Sequence, residues 1–183
     1  MKYQNAFIFH GTAGSPEGNW FPWLKKELEK QGIPTIVPRF PTPEGESLEA
    51  WFKVLDEQEQ KIGPDSLMIG HSKGGIFLLR VLERLEVPVK KAIFVSTPIG
   101  IKPIFYYEED KKFTGFDFDW QNIKSKAGQI TVFYSDDDPY ADTANGRQLA
   151  KHLGVDLNFI PNAGHINAES GYTKFPQILK EIL

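Results

Sequence analysis

The stretch Leu67-Met68-Ile69-Gly70-His71-Ser72-Lys73-Gly74-Gly75-Ile76-Phe77-Leu78-Leu79 decides how this chain is read. An apolar run enters a Gly-x-Ser-x-Gly turn and leaves it as an amphipathic stretch, the pattern of a buried strand passing abruptly into a helix. A turn this tight forces its central residue into a strained backbone conformation, and side chains two positions before or after would collide. Gly70 and Gly74 remove those side chains, so the Ser72 hydroxyl is expected to stand exposed above the carboxyl edge of a sheet. The helix starting at Lys73 would aim its positive dipole end at the same point. A serine that merely caps a helix is the plainer alternative. Partners for Ser72 decide between the two.

Outward from this turn, short apolar runs alternate with helix-length amphipathic stretches. Strands are expected at Ala6 to Phe9, Thr35 to Val37, Ser66 to Ile69, Ala92 to Val95, Gln129 to Tyr134 and Val155 to Ile160. Helices are expected over Trp20 to Gln31, Ser47 to Lys61, Lys73 to Leu85, Thr143 to His152 and Lys174 to Leu183, with Asn19 and Ser47 as candidate caps. Thr97 to Trp120 reads as an irregular aromatic region. Apolar strands alternating with helices imply parallel pairing with both sheet faces covered. The fold class expected is α/β, a three-layer α/β/α sandwich of about six mostly parallel strands, with residues 1–183 as one domain.

A nucleophilic serine needs a base, and the base needs an orienting acid, here in the chain order serine, acid, histidine. Tyr134 is followed by Ser135-Asp136-Asp137-Asp138-Pro139, and Ile160 by Pro161-Asn162-Ala163-Gly164-His165. His165 is the expected base. Asp138 is the expected acid because Pro139 favours an extended conformation for it at the strand end; Asp137 is the second choice, and Asp136 is expected to cap or face water. Three adjacent aspartates could also form a solvated loop or a divalent-metal site, but no further ligand stands at short metal spacing. No metal is expected. His152 is read as a structural residue in a helix's last turn, and His71 as a packing residue turned away from the serine.

Acyl transfer also needs two donors for the oxyanion. The N–H of Lys73, next after the nucleophile, is one. The loop Gly11-Thr12-Ala13-Gly14 after the first strand offers the N–H of Thr12 as the other. Neither a P-loop nor a dinucleotide fingerprint is present, so no nucleotide cofactor, and indeed no cofactor, is expected.

Composition narrows the field further. Of 183 residues 40% are hydrophobic and 25% charged, the net charge is −3, and cysteine is absent. Disulfides, thiolate catalysis and cysteine-ligated zinc are thereby excluded. The acidic balance argues against nucleic acid as a partner, and no apolar run reaches the roughly 18 residues of a membrane helix. Ala6 to Phe9 is shorter than a signal h-region of about 7–15 residues. A cytoplasmic protein without a membrane partner is expected.

The chain resembles the small α/β-hydrolase-fold serine hydrolases of the retinoblastoma-binding protein 9 and YdeN type. The resemblance runs from His10-Gly11 through Asn19-Trp20-Phe21-Pro22-Trp23-Leu24 and Gly70-His71-Ser72-x-Gly74 to Asp137-Asp138-Pro139 and Gly164-His165. It implies the compact hydrolase fold, a Ser72, Asp138, His165 triad, and hydrolysis of esters or short peptides. Family members often carry Val-Pro just after the acid, where this chain has Ala141-Asp142. The retinoblastoma-binding motif of the human member requires a cysteine, so that partner is not expected here.

The function expected is cleavage of a small ester, thioester or amide through an acyl-enzyme. The alternative is a non-catalytic interaction module on the same scaffold. Trp20, Phe105 and Tyr106 are candidate substrate contacts. The aromatics of the 97–120 region form either a lid over the site or satellite core beneath a long loop.

Overall fold

The computed structural model describes residues 3–58, 61–115 and 117–183. Phe116, one of the aromatics of the 97–120 region, lies outside them. The strands are β1 (Asn5–Phe9), β2 (Thr35–Ile36), β3 (Ser66–His71), β4 (Val89–Val95), β5 (Ala127–Tyr134) and β6 (Leu157–Phe159). They form one sheet in the order β2-β1-β3-β4-β5-β6, and every neighbouring pair is parallel. All of β1 and β3 is buried, as strands covered on both faces must be.

The helices divide between the two faces. Phe21, Leu24 and Leu28 of α1 (Phe21–Lys30) and Ile178 and Ile182 of α7 (Pro176–Ile182) pack on Ala6, Ile8, Leu67 and Ile69. The opposite face, with Phe7, Phe9, Met68 and Phe94, takes α2 (Leu48–Asp56), α3 (Lys73–Arg84), α4 (Tyr107–Thr114), α5 (Trp120–Ser125) and α6 (Ala144–Leu153). This is the three-layer sandwich expected, built on six strands. Among the described residues no helix is long and apolar enough to cross a membrane.

Two local expectations are corrected. Asn19 does not cap α1: its backbone is left-handed at φ 50° and its Oδ1 accepts from Ala168 N–H at 3.0 Å, so it ties two loops together. Ser47, by contrast, does cap α2, accepting from Ala50 N–H at 3.1 Å. The 97–120 region is not irregular, because it contains α4 and the start of α5. Phe113 of α4 is fully buried against Trp51 and Phe77, so this part of the region is core.

Register brings the functional loops together. Phe9 pairs with Gly70, His71 with Val95 and Val95 with Phe133, so β1, β3, β4 and β5 end at one level. In an open parallel sheet the crevice above those ends is where ligands bind.

Candidate active site

Ser72 occupies the bend between β3 and α3 at φ 56° and ψ −128°, a conformation that costs a residue with a Cβ on the order of 1–3 kcal/mol. Its N–H donates to Val95 O at 2.9 Å, which fastens the bend to the neighbouring strand. The flanking glycines are required, though not quite as the sequence suggests. A Cβ on Gly70 would stand 2.5 Å from Gly74 O, inside the bend. One on Gly74 would strike the backbone carbonyl of Phe9 in β1 rather than the serine turn. Gly75 is equally constrained, since a Cβ there would run into the Thr97 side chain.

The loop after β5 carries the three aspartates, and each points to a different partner. Asp136 Oδ1 accepts from Asn162 N–H at 2.8 Å. Asp137 Oδ1 accepts from Ser135 Oγ at 2.6 Å and from Gly164 N–H at 2.7 Å, and the serine hydrogen bond holds its carboxyl below the usual range. Only Asp138 reaches an imidazole: its Oδ2 lies 2.7 Å from His165 Nδ1. Its Oδ1 accepts from Tyr140 N–H at 2.9 Å and Ala141 N–H at 3.3 Å, and its side chain is wholly covered. Ala141, where the resemblance leads one to expect Val-Pro, therefore still helps hold the carboxylate.

His165 is fixed from several sides. Ala163 N–H donates to Ser135 Oγ at 2.9 Å and Trp20 Nε1 donates to Ile166 O at 2.9 Å. His71 Nε2 donates to His165 O at 2.9 Å, and the two rings meet edge to face with centroids 4.9 Å apart. His71 is thus not turned away from the site; it supports the loop that carries His165. Burial, reinforced by the neighbouring His165, pushes the His71 imidazole down to about 3.

A base depressed on folding stabilises the native state less as pH falls. Between about pH 6.5 and 3 the unfolded chain binds the His71 proton and the folded chain does not, so stability drops with acidification in that window. Asp110, whose carboxyl burial raises to about 6, acts in the opposite direction between its ordinary value and that one. Comparing His71→Asn with wild type isolates the imidazole. The loss of unfolding free energy from pH 7 to pH 5, measured by urea titration, should be smaller in the variant by about 2 kcal/mol. Equal losses would mean that His71 is protonated in the fold.

A cavity of about 270 Å³ opens between these loops, lined by residues 11–15, Gly18, Asn19, His71, Ser72, Tyr106, Tyr140, His165, Asn167 and Glu169. A more open depression beside Ile99, Trp120 and His152 contains neither Ser72 nor His165. Its His152 stacks on Trp120 at 4.4 Å, in keeping with a structural residue. Gly11 presses against the serine, for a Cβ there would lie 2.8 Å from Ser72 Cβ. His10 is buried beneath the loop, accepting from Phe40 N–H at its Nε2 and donating from Nδ1 to Gly11 O at 3.0 Å. Among the described residues neither Thr12 N–H nor Lys73 N–H has an acceptor, and the buried Thr12 hydroxyl has no partner either.

Two of the three candidate substrate contacts lie outside the lining of this cavity. Trp20 is completely buried among Phe21, His71 and Phe175, because its indole N–H is needed by Ile166 O. Phe105 is 71% exposed and stands outside the cavity, edge-on to Tyr106 and Tyr140. Tyr106 does line the cavity. Tyr140, which sequence reasoning missed, has its ring 4.9 Å from that of His165 and donates its hydroxyl to Glu169 at 2.6 Å. That hydrogen bond pushes the phenol up to about 12, so it stays protonated. Its position two residues after Asp138 was the available signal; Glu169 offered none.

A family model described as serine hydrolase matches residues 6–182. YdeN of Bacillus subtilis (strain 168) is 27% identical over 173 residues, covering 94% of this chain and 91% of its own. The serine hydrolase RBBP9 of Rattus norvegicus is 24% identical over 184 residues, covering 97% and 92%. The crystal structure of the B. subtilis ydeN gene product superposes with a TM-score of 0.91 at 28% identity, over 98% of this chain and 96% of that one. The ferulic acid complex of Est1E from Butyrivibrio proteoclasticus shares the fold, with a TM-score of 0.69 at 15% identity over 99% and 90% of the two chains.

Proposed function

The chain belongs to the serine hydrolase family, and from that premise we propose that it cleaves a small ester, thioester or amide through an acyl-enzyme on Ser72. The observation that carries this reading is the 2.7 Å contact between a covered Asp138 carboxylate and His165, on the cavity that Ser72 also lines. With Nδ1–H donating to Asp138, the lone pair of His165 is on Nε2, the nitrogen that takes the Ser72 proton as the hydroxyl attacks the substrate carbonyl. The negative charge that develops on that oxygen is met by the N–H groups of Thr12 and Lys73, which have no other acceptor among the described residues. His165 then gives its proton to the leaving group, the leaving group departs, and a water attacks the acyl-enzyme by the same route in reverse.

A cavity of about 270 Å³ with polar walls supports a short acyl group over a fatty one. The test is a fluorophosphonate probe followed by peptide mapping, together with p-nitrophenyl esters of increasing chain length. The adduct should sit on Ser72, and turnover should fall off beyond about four acyl carbons as the chain outgrows the cavity. A protein that the probe leaves unlabelled would instead be a binding module on a hydrolase scaffold.

A further inference from the structure

Lys73 follows the nucleophile directly, yet its side chain is fully buried. Its ammonium makes a short ion pair with Glu46 Oε1, lies 3.4 Å from Asp110 Oδ1 and sits over the Phe113 ring at 5.3 Å. Glu46 uses its other oxygen as well. Thr42 Oγ1 donates to Glu46 Oε2 at 2.7 Å, and the same hydroxyl accepts from Ala13 N–H at 2.9 Å. Ala13 stands next to Thr12, in a left-handed conformation at φ 51°.

One buried carboxylate therefore connects, through two side chains, the two chain segments that carry the proposed oxyanion donors. The arrangement exceeds what stability asks of it, since buried ion pairs are often no more stabilising than well-packed apolar residues. It does, however, give directional control over two backbone segments that no strand ladder joins beyond Phe9 and Gly70.

We propose that Glu46 is a positioning residue, which sets the separation of the Thr12 and Lys73 N–H groups through Thr42 on one side and the Lys73 ammonium on the other. The inference rests on the oxyanion reading given above. Two donors must both fall within about 2.7–3.1 Å of one oxygen, and a misplacement of about 1 Å costs on the order of a hundredfold in rate. Holding them from a common carboxylate gives their spacing a control beyond the turn that Gly14 N–H closes on Gly11 O.

The decisive variant is Thr42→Val, which keeps the side-chain shape and the Glu46–Lys73 pair but cuts the link to Ala13. With a short p-nitrophenyl ester its kcat should fall roughly tenfold while KM stays within about twofold, the pattern of an interaction made only in the transition state. Affinity for an arylboronic acid, which places a tetrahedral oxygen in the hole, should fall by the same factor as kcat/KM. Thr42→Ser should restore both. Glu46→Gln should lower kcat at least as far, with its melting temperature measured alongside to exclude unfolding.

Wild-type kcat and boronate affinity in Thr42→Val would overturn the proposal, as would a loss that Thr42→Ser does not repair. If the wild-type enzyme shows no turnover that depends on Ser72, the oxyanion reading itself falls and takes this inference with it. That result is distinct from a Thr42→Val enzyme that works normally.

Discussion

Replacing Ser72 with alanine should reduce ester turnover by about six orders of magnitude in kcat, leaving only a trace. The protein should remain folded. Ser72 is held by its backbone N–H to Val95 O, a bond that alanine keeps. Its left-handed φ of 56° is as costly for alanine as for serine, and the glycines that permit the bend are untouched. The melting temperature should therefore lie within roughly 2 °C of wild type, a shift equivalent to about 0.5–1 kcal/mol for a chain of this size. Turnover above a trace in the folded variant would assign the nucleophile to another residue.

Asp138→Asn should lower kcat by up to about four orders of magnitude. The amide oxygen can still accept from Tyr140 and Ala141 N–H, so the loop should keep its shape. The amide nitrogen, however, would present a hydrogen to His165 Nδ1 and drive the imidazole's own proton onto Nε2, where it blocks acceptance from Ser72. The neighbouring aspartates provide the comparison. Asp136→Asn should do little, since it only accepts from Asn162 at the surface. Asp137→Asn retains an oxygen towards Ser135 and Gly164 but loses the charge that strengthens both hydrogen bonds, and should cost roughly tenfold. Steady-state kinetics on all three variants decide the matter. A large loss at Asp137 with little at Asp138 would shift the acid by one residue.

The alternation of apolar runs made the parallel sheet legible, because a strand buried on both faces has no polar side to show. The elbow was legible for a related reason: Gly70 and Gly74 are needed by backbone contacts on either side of the bend. What stayed hidden depends on pairings between distant residues. Trp20 stands in a helix start rich in exposed-looking aromatics, and only the carbonyl of Ile166, far along the chain, draws it inside. Helix α4 reads Tyr107-Glu108-Glu109-Asp110-Lys111-Lys112-Phe113-Thr114, with too few apolar residues to display a helical period. Glu46 and Lys73 look like solvated charges until they are seen to bury one another. Among the three aspartates, spacing marked the loop that reaches His165, but which carboxylate meets it depends on the direction each side chain takes.

The His165 loop is clasped by Ser135, Asp136, Asp137, His71 and Trp20, all of them groups of the protein itself. Fixing a residue's backbone consumes roughly 1–2 kcal/mol of conformational entropy. Here that cost falls on folding, and none of it is left for the encounter with substrate. A hydrolase with so small a cavity has little contact area from which to draw binding energy, so a base that needed ordering by its ligand would leave short acyl substrates poorly served. On the function proposed above, an imidazole already held in place would let even a two-carbon ester meet a finished catalytic group.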